Sequence, residues 1–264
     1  MSYNIGDKIA VYTKKGGGKV GVMGGNPSVG QRVAENNGIG VVHGSYSVGD
    51  TVLVNIGKNH KIGMKGGYIG YQIVSWGYDG DGQVTNTPTG TGFTAIAAGY
   101  RHSLALRSDG SIVSWGSDDY GQVSNTPEGT GFTAIAAGNY HSLALRSDGS
   151  IVSWGDNRFG KVTDTPSGTG FTAIGGGGHI SLALRSNGSI VSWGSDSFGQ
   201  VSNIPTGNDF VAIDAVLYHS LALRSDGSIA AWGSDDYGQV SDTPTDTGFI
   251  AIAAGSYHSL ALRP

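Results

Sequence analysis

The sequence has no cysteine, only seven prolines, and few charged residues, which make up 14% of its 264 residues. Without cysteine, disulfide bonds and thiolate metal sites are excluded. No apolar run approaches the roughly 18 residues that a membrane-spanning helix needs. The N-terminus also lacks the basic-then-apolar pattern of a signal peptide. We therefore expect no membrane association, and a location in the cytoplasm or in a virus particle.

Catalytic patterns are absent as well. The only two glutamates are Glu35 and Glu128, so a glycosidase-like carboxylate pair would have to come from aspartates. There is no GxSxG motif, and each His-Ser dipeptide lies in a predicted strand, where adjacent side chains point to opposite faces. The sequence predicts a protein that is not an enzyme and has no cofactor.

Charge is divided unevenly along the chain, although the net charge at pH 7 is only −4. Residues 1–67 carry an excess of five positive charges, and residues 68–264 carry an excess of nine negative charges. The acidic part lacks the clustered Lys and Arg that bind phosphates, so we expect no nucleic-acid partner. We predict a small basic β-domain at 1–67 and a second domain at 68–264.

The five tryptophans of the chain are spaced at a constant interval of 39 residues, at Trp76, Trp115, Trp154, Trp193 and Trp232. A constant period of this size indicates a stack of one supersecondary unit. The 47 glycines, without a collagen period, are typical of many tight turns between short strands. Arrays of this kind usually bind partners, so a binding surface is the first function to consider.

The predicted module is seen in the copy at residues 111–149 together with the start of the next copy. Residues 132–138, 141–147 and 150–155 read as three strands, and Asp148-Gly149 predicts a type I′ hairpin turn. A short fourth strand is predicted around the GQVS segment. Small sheets of this kind bury their faces by stacking radially, as in a β-propeller. The fold class is therefore all-β.

The two ends of the array complement each other. The first copy begins at residues 71–77 without the preceding strands, and the last copy stops at 258–264 without the following strand. Pairing of 72–76 with 258–263 would complete a fifth blade and remove an open edge. We predict a closed five-bladed propeller, with an open arc that completes itself by dimerising as the alternative.

Residues 138–162 and their equivalents carry the pattern GxxHSLAL, DG, WG and GQ, with variants between copies such as Gly-Lys at 160–161. This pattern closely resembles the regulator of chromosome condensation repeat, over about residues 71–264. The resemblance implies a propeller, although members typically have seven blades and the eukaryotic ones have longer repeats. Known roles in that family, nucleotide exchange on a small GTPase and inhibition of β-lactamases, imply protein contacts through propeller loops. No functional residue of the family maps onto a position here.

Two sets of repeated residues are interpreted as structural. Tryptophan before glycine suits an aromatic side chain packed between sheets. The histidines come from separate blades, whereas a metal needs three or four converging ligands, so we expect no metal site. The resemblance also implies a scaffold role for this histidine. The predicted interblade residues are Trp76, Trp115, Trp154, Trp193, Trp232, His102, His141, His219 and His258.

Acidic loops follow each Trp-Gly, and Asp79 and Asp81 lie in a DxDG string that is similar to the start of a calcium loop. The downstream bidentate glutamate of such loops is absent. We interpret these aspartates as turn formers, with calcium binding as the alternative.

Two sets of turn residues vary between copies while the strands do not. One set lies in the loop after Trp-Gly, and the other immediately precedes the histidine position. The aromatic residues after Trp-Gly have two readings, packing in the core or between blades, and a ring of aromatics beside acids, which is typical of binding hot spots. The candidate binding residues are Tyr120, Phe159, Phe198, Tyr237, Arg101, Tyr140, His179, Tyr218 and Tyr257.

The N-terminal part contains a weak duplication of its own, in which residues 5–25 parallel residues 48–67. Each copy reads as strand, Gly/Lys-rich turn and strand, and residues 38–47 add another strand. A barrel or sandwich of five to six strands is predicted. By analogy with virion and tail proteins, this domain could dock to a larger assembly.

The sequence thus predicts a non-enzymatic recognition or display protein. Its propeller loops would bind a protein or a surface glycan while the N-terminal domain attaches it elsewhere, as in a virion or tail component or an adhesin. The alternative is an intracellular regulator or inhibitor that binds a single protein partner.

Overall fold

A computed structural model describes residues 70–264 and four short strands in the N-terminal part. The chain divides into two compact units, Met1–Ile69 and Gly70–Pro264. In the first unit, the described strands form two antiparallel pairs, β1 (Ala10–Tyr12) with β2 (Gly21–Met23) and β3 (Thr51–Asn55) with β4 (Lys61–Lys65). The predicted barrel or sandwich and the predicted strand at 38–47 otherwise lie outside the described residues.

The second unit is a series of small antiparallel sheets. The first four have three strands each and the fifth has two. Sheet 1 contains β5 (Phe93–Ala98), β6 (His102–Arg107) and β7 (Ile112–Gly116), and sheet 2 contains β8 (Phe132–Ala137), β9 (His141–Arg146) and β10 (Ile151–Gly155). Sheet 3 contains β11 (Phe171–Gly176), β12 (Ile180–Arg185) and β13 (Ile190–Gly194), sheet 4 contains β14 (Phe210–Ala215), β15 (His219–Arg224) and β16 (Ile229–Gly233), and sheet 5 contains β17 (Ala251–Ala254) and β18 (Ser259–Leu262).

The three predicted strands are therefore present in each of sheets 1 to 4, but the hairpin turn differs from the predicted type I′. Arg146 and Ser150 close a three-residue loop, in which the N–H of Gly149 donates to the Arg146 carbonyl at 2.9 Å. Only Gly149 has a positive φ, of 79°, which identifies a type I turn followed by a left-handed glycine. The Asp148 carboxylate accepts hydrogen bonds from the N–H and hydroxyl of Ser150, and this fixes the loop.

The predicted fourth strand is also not formed in the described residues. The GQVS segment at 121–124 forms turns instead. One oxygen of the Asp118 carboxylate accepts hydrogen bonds from the backbone N–H groups of Val123 and Ser124, at 2.8 and 2.9 Å. These N–H groups are then unavailable for a strand ladder.

Successive sheets pack face to face through leucine and tryptophan. Leu104 and Leu106 of β6 are buried against Phe132, Ala144 and Trp154 of sheet 2. Equivalent clusters join sheets 2 and 3 and sheets 3 and 4. The core of this unit therefore lies between its sheets. Fully burying a large apolar side chain there stabilises the fold by up to about 3 kcal/mol.

Each of the four buried tryptophans also donates a hydrogen bond to a carbonyl in the loop that precedes its own sheet. Trp154 Nε1 donates to the carbonyl of Gln122 at 2.9 Å, and Trp115, Trp193 and Trp232 make the equivalent bond. Since the indole N–H is a donor that needs a partner when buried, this bond fixes the position of each sheet on its neighbour.

The two ends of the array do not pair with each other in the structure, contrary to the predicted closed ring. Residues 72–76 form no strand, and Tyr71 makes only an isolated bridge with Phe93. All four residues of β18 are exposed. The closure prediction depended on the repeat period, but closure depends on the angle between successive sheets, which the period does not encode.

Candidate functional site

The loops that follow each Trp-Gly are built on one aspartate or asparagine. Burial would raise the pKa of Asp118, but the backbone N–H groups of Ser124 and Val123 outweigh this and hold the pKa below its usual value. Asp79, Asn157, Asp196 and Asp235 accept the equivalent pairs of hydrogen bonds. These side chains are therefore used to form the turns.

A buried glutamine fixes the aromatic residue of the loop. Gln122 is fully buried, and its Oε1 accepts a hydrogen bond from the backbone N–H of Tyr120 at 2.8 Å. Phe198 and Tyr237 are fixed in the same way by Gln200 and Gln239. The backbone is thus anchored while the ring stays exposed, by 42% for Tyr120 and 71% for Tyr237.

The two candidate binding sets, which lie 20 residues apart in sequence, meet in space. Each aromatic residue of the loop after Trp-Gly lies edge-on against the residue that precedes the histidine position of the next sheet. The ring centroids are 5.3 to 5.7 Å apart in four such pairs: Tyr120–Tyr140, Phe159–His179, Phe198–Tyr218 and Tyr237–Tyr257. Edge-to-face geometry at this distance is favourable, so the pairs are held in place. We refer to these eight residues as the aromatic row.

One repeat before the Tyr120–Tyr140 pair, an ion pair takes the place of the two rings. Arg101 precedes the first histidine, and its Nη1 lies 3.7 Å from an Oδ2 oxygen of Asp81. Further contacts link neighbouring pairs, because Tyr100 contacts Tyr140 and Tyr257 stacks on Tyr218, each at 5.7 Å between centroids. All nine candidate binding residues therefore lie in contacts of this one series.

A charged cluster lies at the middle of the aromatic row. Lys161 and Asp156 are buried and form an ion pair of 2.7 Å between Nζ and Oδ2. Burial would raise the pKa of Asp156, but hydrogen bonds from Lys161 and Arg158 outweigh it and lower the pKa. Arg158 is about half exposed, and its guanidinium lies 5.0 Å from the ring centroid of Tyr120 and 5.8 Å from that of Tyr140. The aromatic row thus carries a cation held between two tyrosines.

Three of the histidines form hydrogen bonds to the next sheet in the described unit. His102 Nε2 is hydrogen-bonded to Ser142 Oγ of the next sheet at 2.9 Å, and His141 and His219 bond Ser181 and Ser259 in the same way. Burial lowers the pKa of His102 to about 4. Burial, reinforced by the charge of Lys161, lowers the pKa of His141 to about 3. Neutral rings follow, and among the described residues no group of three or more His, Asp or Glu could hold a metal ion.

The end positions depart from the predicted interblade set. Trp115, Trp154, Trp193 and Trp232 are 3% to 5% exposed, whereas Trp76 is 84% exposed. His258 is likewise exposed, because sheet 5 is the last sheet of the array and no following sheet packs on it. Within residues 70–264 and the described strands before them, no helix has the length and apolar character that a membrane crossing requires.

Sequence reasoning missed the charged cluster, although the repeat contains a signal for it. Aligning the copies on tryptophan places Lys161 at the position of Gln122 and Asp156 at the position of Ser117. Arg158 takes the position of Asp119. Three coordinated changes in one copy of a near-identical repeat are enough to distinguish this loop from the others.

Four stretches of the chain match the regulator of chromosome condensation (RCC1) repeat, at residues 93–122, 132–161, 171–200 and 210–239. Each stretch begins at the first strand of a sheet and ends in the loop that carries the aromatic residue, or its charged neighbours, after Trp-Gly. No curated protein matches the sequence.

Solved structures support the same fold. The ectodomain of the receptor kinase CR4 from Physcomitrella patens is 24% identical, with a TM-score of 0.55, over 65% of this chain and 47% of that chain. Yeast RCC1 (Prp20) bound to Kap60 is 22% identical, with a TM-score of 0.54, over 64% and 53%. Human WBSCR16 is 18% identical, with a TM-score of 0.54, over 65% and 60%.

This chain therefore spans about half to three-fifths of the length of these structures, and at these identities the likeness shows the fold alone. The repeated three-stranded sheets are those of a propeller-type all-β fold. The predicted resemblance is confirmed by the four matched stretches, and the repeat array of this chain belongs to the regulator of chromosome condensation (RCC1) repeat family.

Proposed function

We propose that residues 70–264 form a non-enzymatic recognition module whose aromatic row binds a protein partner. The observation that carries this proposal is the recurrence, at each of four sheet junctions, of one edge-to-face ring pair with at least one exposed ring. Packing of a single blade needs no such exposed pair, since the core of each junction is made by leucine and tryptophan.

The composition of the row supports binding. Tyrosine and arginine are enriched among residues that dominate interface energies. The rings are also fixed before binding, by the bond of Gln122 to the loop backbone and by the paired ring of Tyr140. A surface that is already ordered loses little side-chain entropy on association, which favours affinity.

The charge of the row adds selectivity. The guanidinium group of Arg158 carries a positive charge on an array whose net charge is negative. One repeat before Tyr120–Tyr140, Arg101 is paired with Asp81. A partner with an acidic group opposite Arg158 would be favoured over one with a basic group. In the alternative function, that of an intracellular regulator or inhibitor, the same surface would bind a single protein partner.

Alanine substitution of the row tests the proposal. The double variant Tyr140→Ala/Tyr218→Ala removes two rings that are supported by neighbouring rings and lie outside the leucine–tryptophan cores. Val211→Ala is the matched control, because Val211 is an exposed apolar residue on a strand of sheet 4. Immobilised protein would capture partners from a lysate of the source organism, and affinities would then be measured with the purified partner.

We expect the row variant to bind the partner at least about 30-fold more weakly, which corresponds to about 2 kcal/mol, while the control binds like the wild type. A partner that both variants bind as tightly as the wild type would contradict the aromatic row as the binding surface. Unchanged unfolding midpoints in both variants show that the comparison concerns binding.

A surface glycan is the second candidate ligand, and the regular repetition of similar ring pairs favours it. Repeated weak sites on one scaffold multiply affinity for a multivalent ligand. A glycan array probed with the wild type and with Tyr140→Ala/Tyr218→Ala distinguishes the two ligands. Binding to a glycan that the variant loses supports this candidate, and an array without signal removes it.

The N-terminal unit completes the proposed layout. We place docking to a larger assembly on residues 1–67, which carry the positive excess of the chain. The whole protein would then be a display component, such as a virion or tail protein or an adhesin, located in a virus particle or the cytoplasm. Coding regions for capsid or tail proteins next to its own would support this setting, and their absence would favour the regulator.

A further inference from the structure

The two ends of the array expose the residues that every interior junction buries. Leu260 and Leu262 of β18 are 62% and 59% exposed, whereas their repeat equivalents Leu143 and Leu145 are 0% and 5% exposed. The chain has the same sequence, HSLALR, at both places. The last sheet therefore presents the leucine half of a junction without its second half.

The first sheet presents the other half. Its cluster contains Phe93, Ala105 and Trp115, with Ile73 packed against it, and lacks the two leucines that each interior cluster takes from the preceding sheet. Ile96, whose equivalents in sheets 2 to 4 are partly buried in their junctions, is 68% exposed. The exposed leucines of sheet 5 are the residue type and number that this cluster lacks.

A third strand is missing from sheet 5 and is available at the other end. Residues 73–77 have the sequence IVSWG, which is also the sequence of β7, β10 and β13. They are docked on sheet 1 through Ile73 and through the Tyr71–Phe93 bridge but pair with no further strand. Both the segment and the edge of β18 thus have unpaired backbone groups, which pair readily with another strand.

The side chain of Trp76 has a matching recess. Interior tryptophans donate to the carbonyl of the residue 32 positions earlier in the array, and by the same repeat Trp76 would donate to the carbonyl of Gln239. A cavity of about 280 Å³ lies there, lined by Leu221, Gln239, Pro244 and Leu260 among others. A second cavity, of about 250 Å³, lies between residues 71–74 and 93–96, at the opposite end.

We propose that two copies of this chain associate head to tail, with residues 72–76 of one copy completing sheet 5 of the other. The resulting interface would continue the junctions that already join sheets 1 to 4, with the same leucine, tryptophan and strand contacts. A second copy fits better than the chain's own end, because within one chain residues 72–76 and the edge of β18 remain unpaired with each other. Such a contact is heterologous, so it closes into a ring or extends as a chain of copies.

This inference does not depend on what the aromatic row binds. Association would place Tyr100 and Arg101, which precede the aromatic row of one copy, beside Tyr257 at the end of the aromatic row of the other. The rows of successive copies would then form one longer series.

Particle mass tests the association. Analytical ultracentrifugation of the full chain is expected to show species at multiples of 27.0 kDa that increase with concentration. Leu260→Lys/Leu262→Lys places two charges on the exposed face of β18 and is expected to abolish those species. Val211→Lys, a matched charge on an exposed apolar position of sheet 4, is expected to leave them unchanged. A wild type that stays at the mass of one chain at all concentrations overturns the proposal.

Cysteine pairing then identifies the strands, since the chain has no cysteine of its own. In sheet 1, Leu104 lies opposite Ser114, so the repeat places Leu260 of one copy opposite Ser75 of the other. Directly opposite residues are close enough for a disulfide. A mixture of the Ser75→Cys and Leu260→Cys variants is expected to form a disulfide-linked pair of chains, and a mixture of Ser75→Cys and Val211→Cys is not.

The Ser75→Cys/Leu260→Cys double variant distinguishes a second copy from closure of one chain. Linked multimers on a non-reducing gel support the proposal. A disulfide formed only within single chains shows that the chain closes on itself, and this overturns it. Absence of a disulfide in the mixture and in the double variant overturns it as well.

Discussion

The junction between sheets 1 and 2 and the junction between sheets 2 and 3 have the same hydrogen bond from tryptophan to a backbone carbonyl, but they bury different side chains. In the first, Trp154 Nε1 donates to the carbonyl of Gln122, and in the second Trp193 donates to the carbonyl of Lys161, each at 2.9 Å. Gln122 is neutral, whereas Lys161 forms a buried ion pair with Asp156. The tryptophan bond is therefore independent of the side chain beside it.

The lysine that replaces glutamine in the second junction is accompanied by strain in the loop backbone. Gln122 accepts a hydrogen bond from the N–H of Tyr120, but lysine has no acceptor to offer the equivalent Phe159. Phe159 has a φ of 66°, and it alone among the non-glycine residues that the structure describes has a positive φ. Such a conformation costs on the order of 1–3 kcal/mol, so the charged junction combines local strain with a compensated ion pair.

Removing one member of the ion pair is expected to give the largest difference in stability between variants of the two junctions. Lys161→Met leaves the buried Asp156 carboxylate with Arg158 as its sole remaining cation, so we expect a loss of about 3 kcal/mol of unfolding free energy. Gln122→Met, at the equivalent position, removes one hydrogen bond and is expected to cost about 1 kcal/mol. Urea unfolding of both variants measures the difference.

The double variant Asp156→Ser/Lys161→Gln is the control, because it gives the charged junction the residues of the neutral one. It restores the acceptor for the Phe159 N–H and removes both buried charges, so we expect a stability within about 1 kcal/mol of the wild type. Equal losses of unfolding free energy for Lys161→Met and Gln122→Met would show that the ion pair contributes no more to stability than the hydrogen bond of Gln122.

Acidification affects both junctions through their histidines. His102 and His141 have folded pKa values of about 4 and about 3, and both are lowered from 6.5 mainly by burial. Between these values and 6.5 the unfolded chain binds protons that the folded chain does not, so stability falls as the pH falls. From pH 7 to pH 6 we expect the two histidines together to lose about 1.5 kcal/mol of unfolding free energy.

The measurement is urea unfolding at pH 7 and pH 6, where the carboxylates remain ionised in both states. Ring proton shifts in nuclear magnetic resonance spectra give the pKa of each histidine directly. In Asp156→Ser/Lys161→Gln, both nearby charges are lost, and because Lys161 lowers the pKa of His141 more than Asp156 raises it, that pKa is expected to rise toward the pKa of His102. Histidines that titrate near 6.5 in the folded protein would contradict the buried, neutral rings.

The strands of the array could be predicted from sequence because their alternation recurs in every copy at one period. The hairpin turn could not, because the Asp148-Gly149 pair gave no sign that Ser147 belongs to the loop. The candidate residues Tyr120 and Tyr140 were predicted as members of two sets. Their contact depends on how one sheet packs on the next, which no local pattern encodes.

The same limit explains the ends of the array. The missing strand at residues 72–76 and the surplus at 258–263 were visible in the sequence. Whether the two meet within one chain depends on the rotation between sheets, which no local pattern in the sequence encodes.

A buried serine gives the smallest and cleanest contrast between junctions. Ser142 Oγ is hydrogen-bonded to His102 Nε2 across the junction of sheets 1 and 2, whereas Ser220 Oγ has no partner because Ile180 replaces the histidine. Ser142→Ala is expected to lose about 1 kcal/mol of unfolding free energy, and Ser220→Ala is expected to be neutral or slightly stabilising. Both serines are fully buried and lie at equivalent strand positions, so the loss of the oxygen itself is the same. Equal urea midpoints for the two variants would mean that the histidine–serine bond does not stabilise the junction, and that the burial of each histidine has another cause.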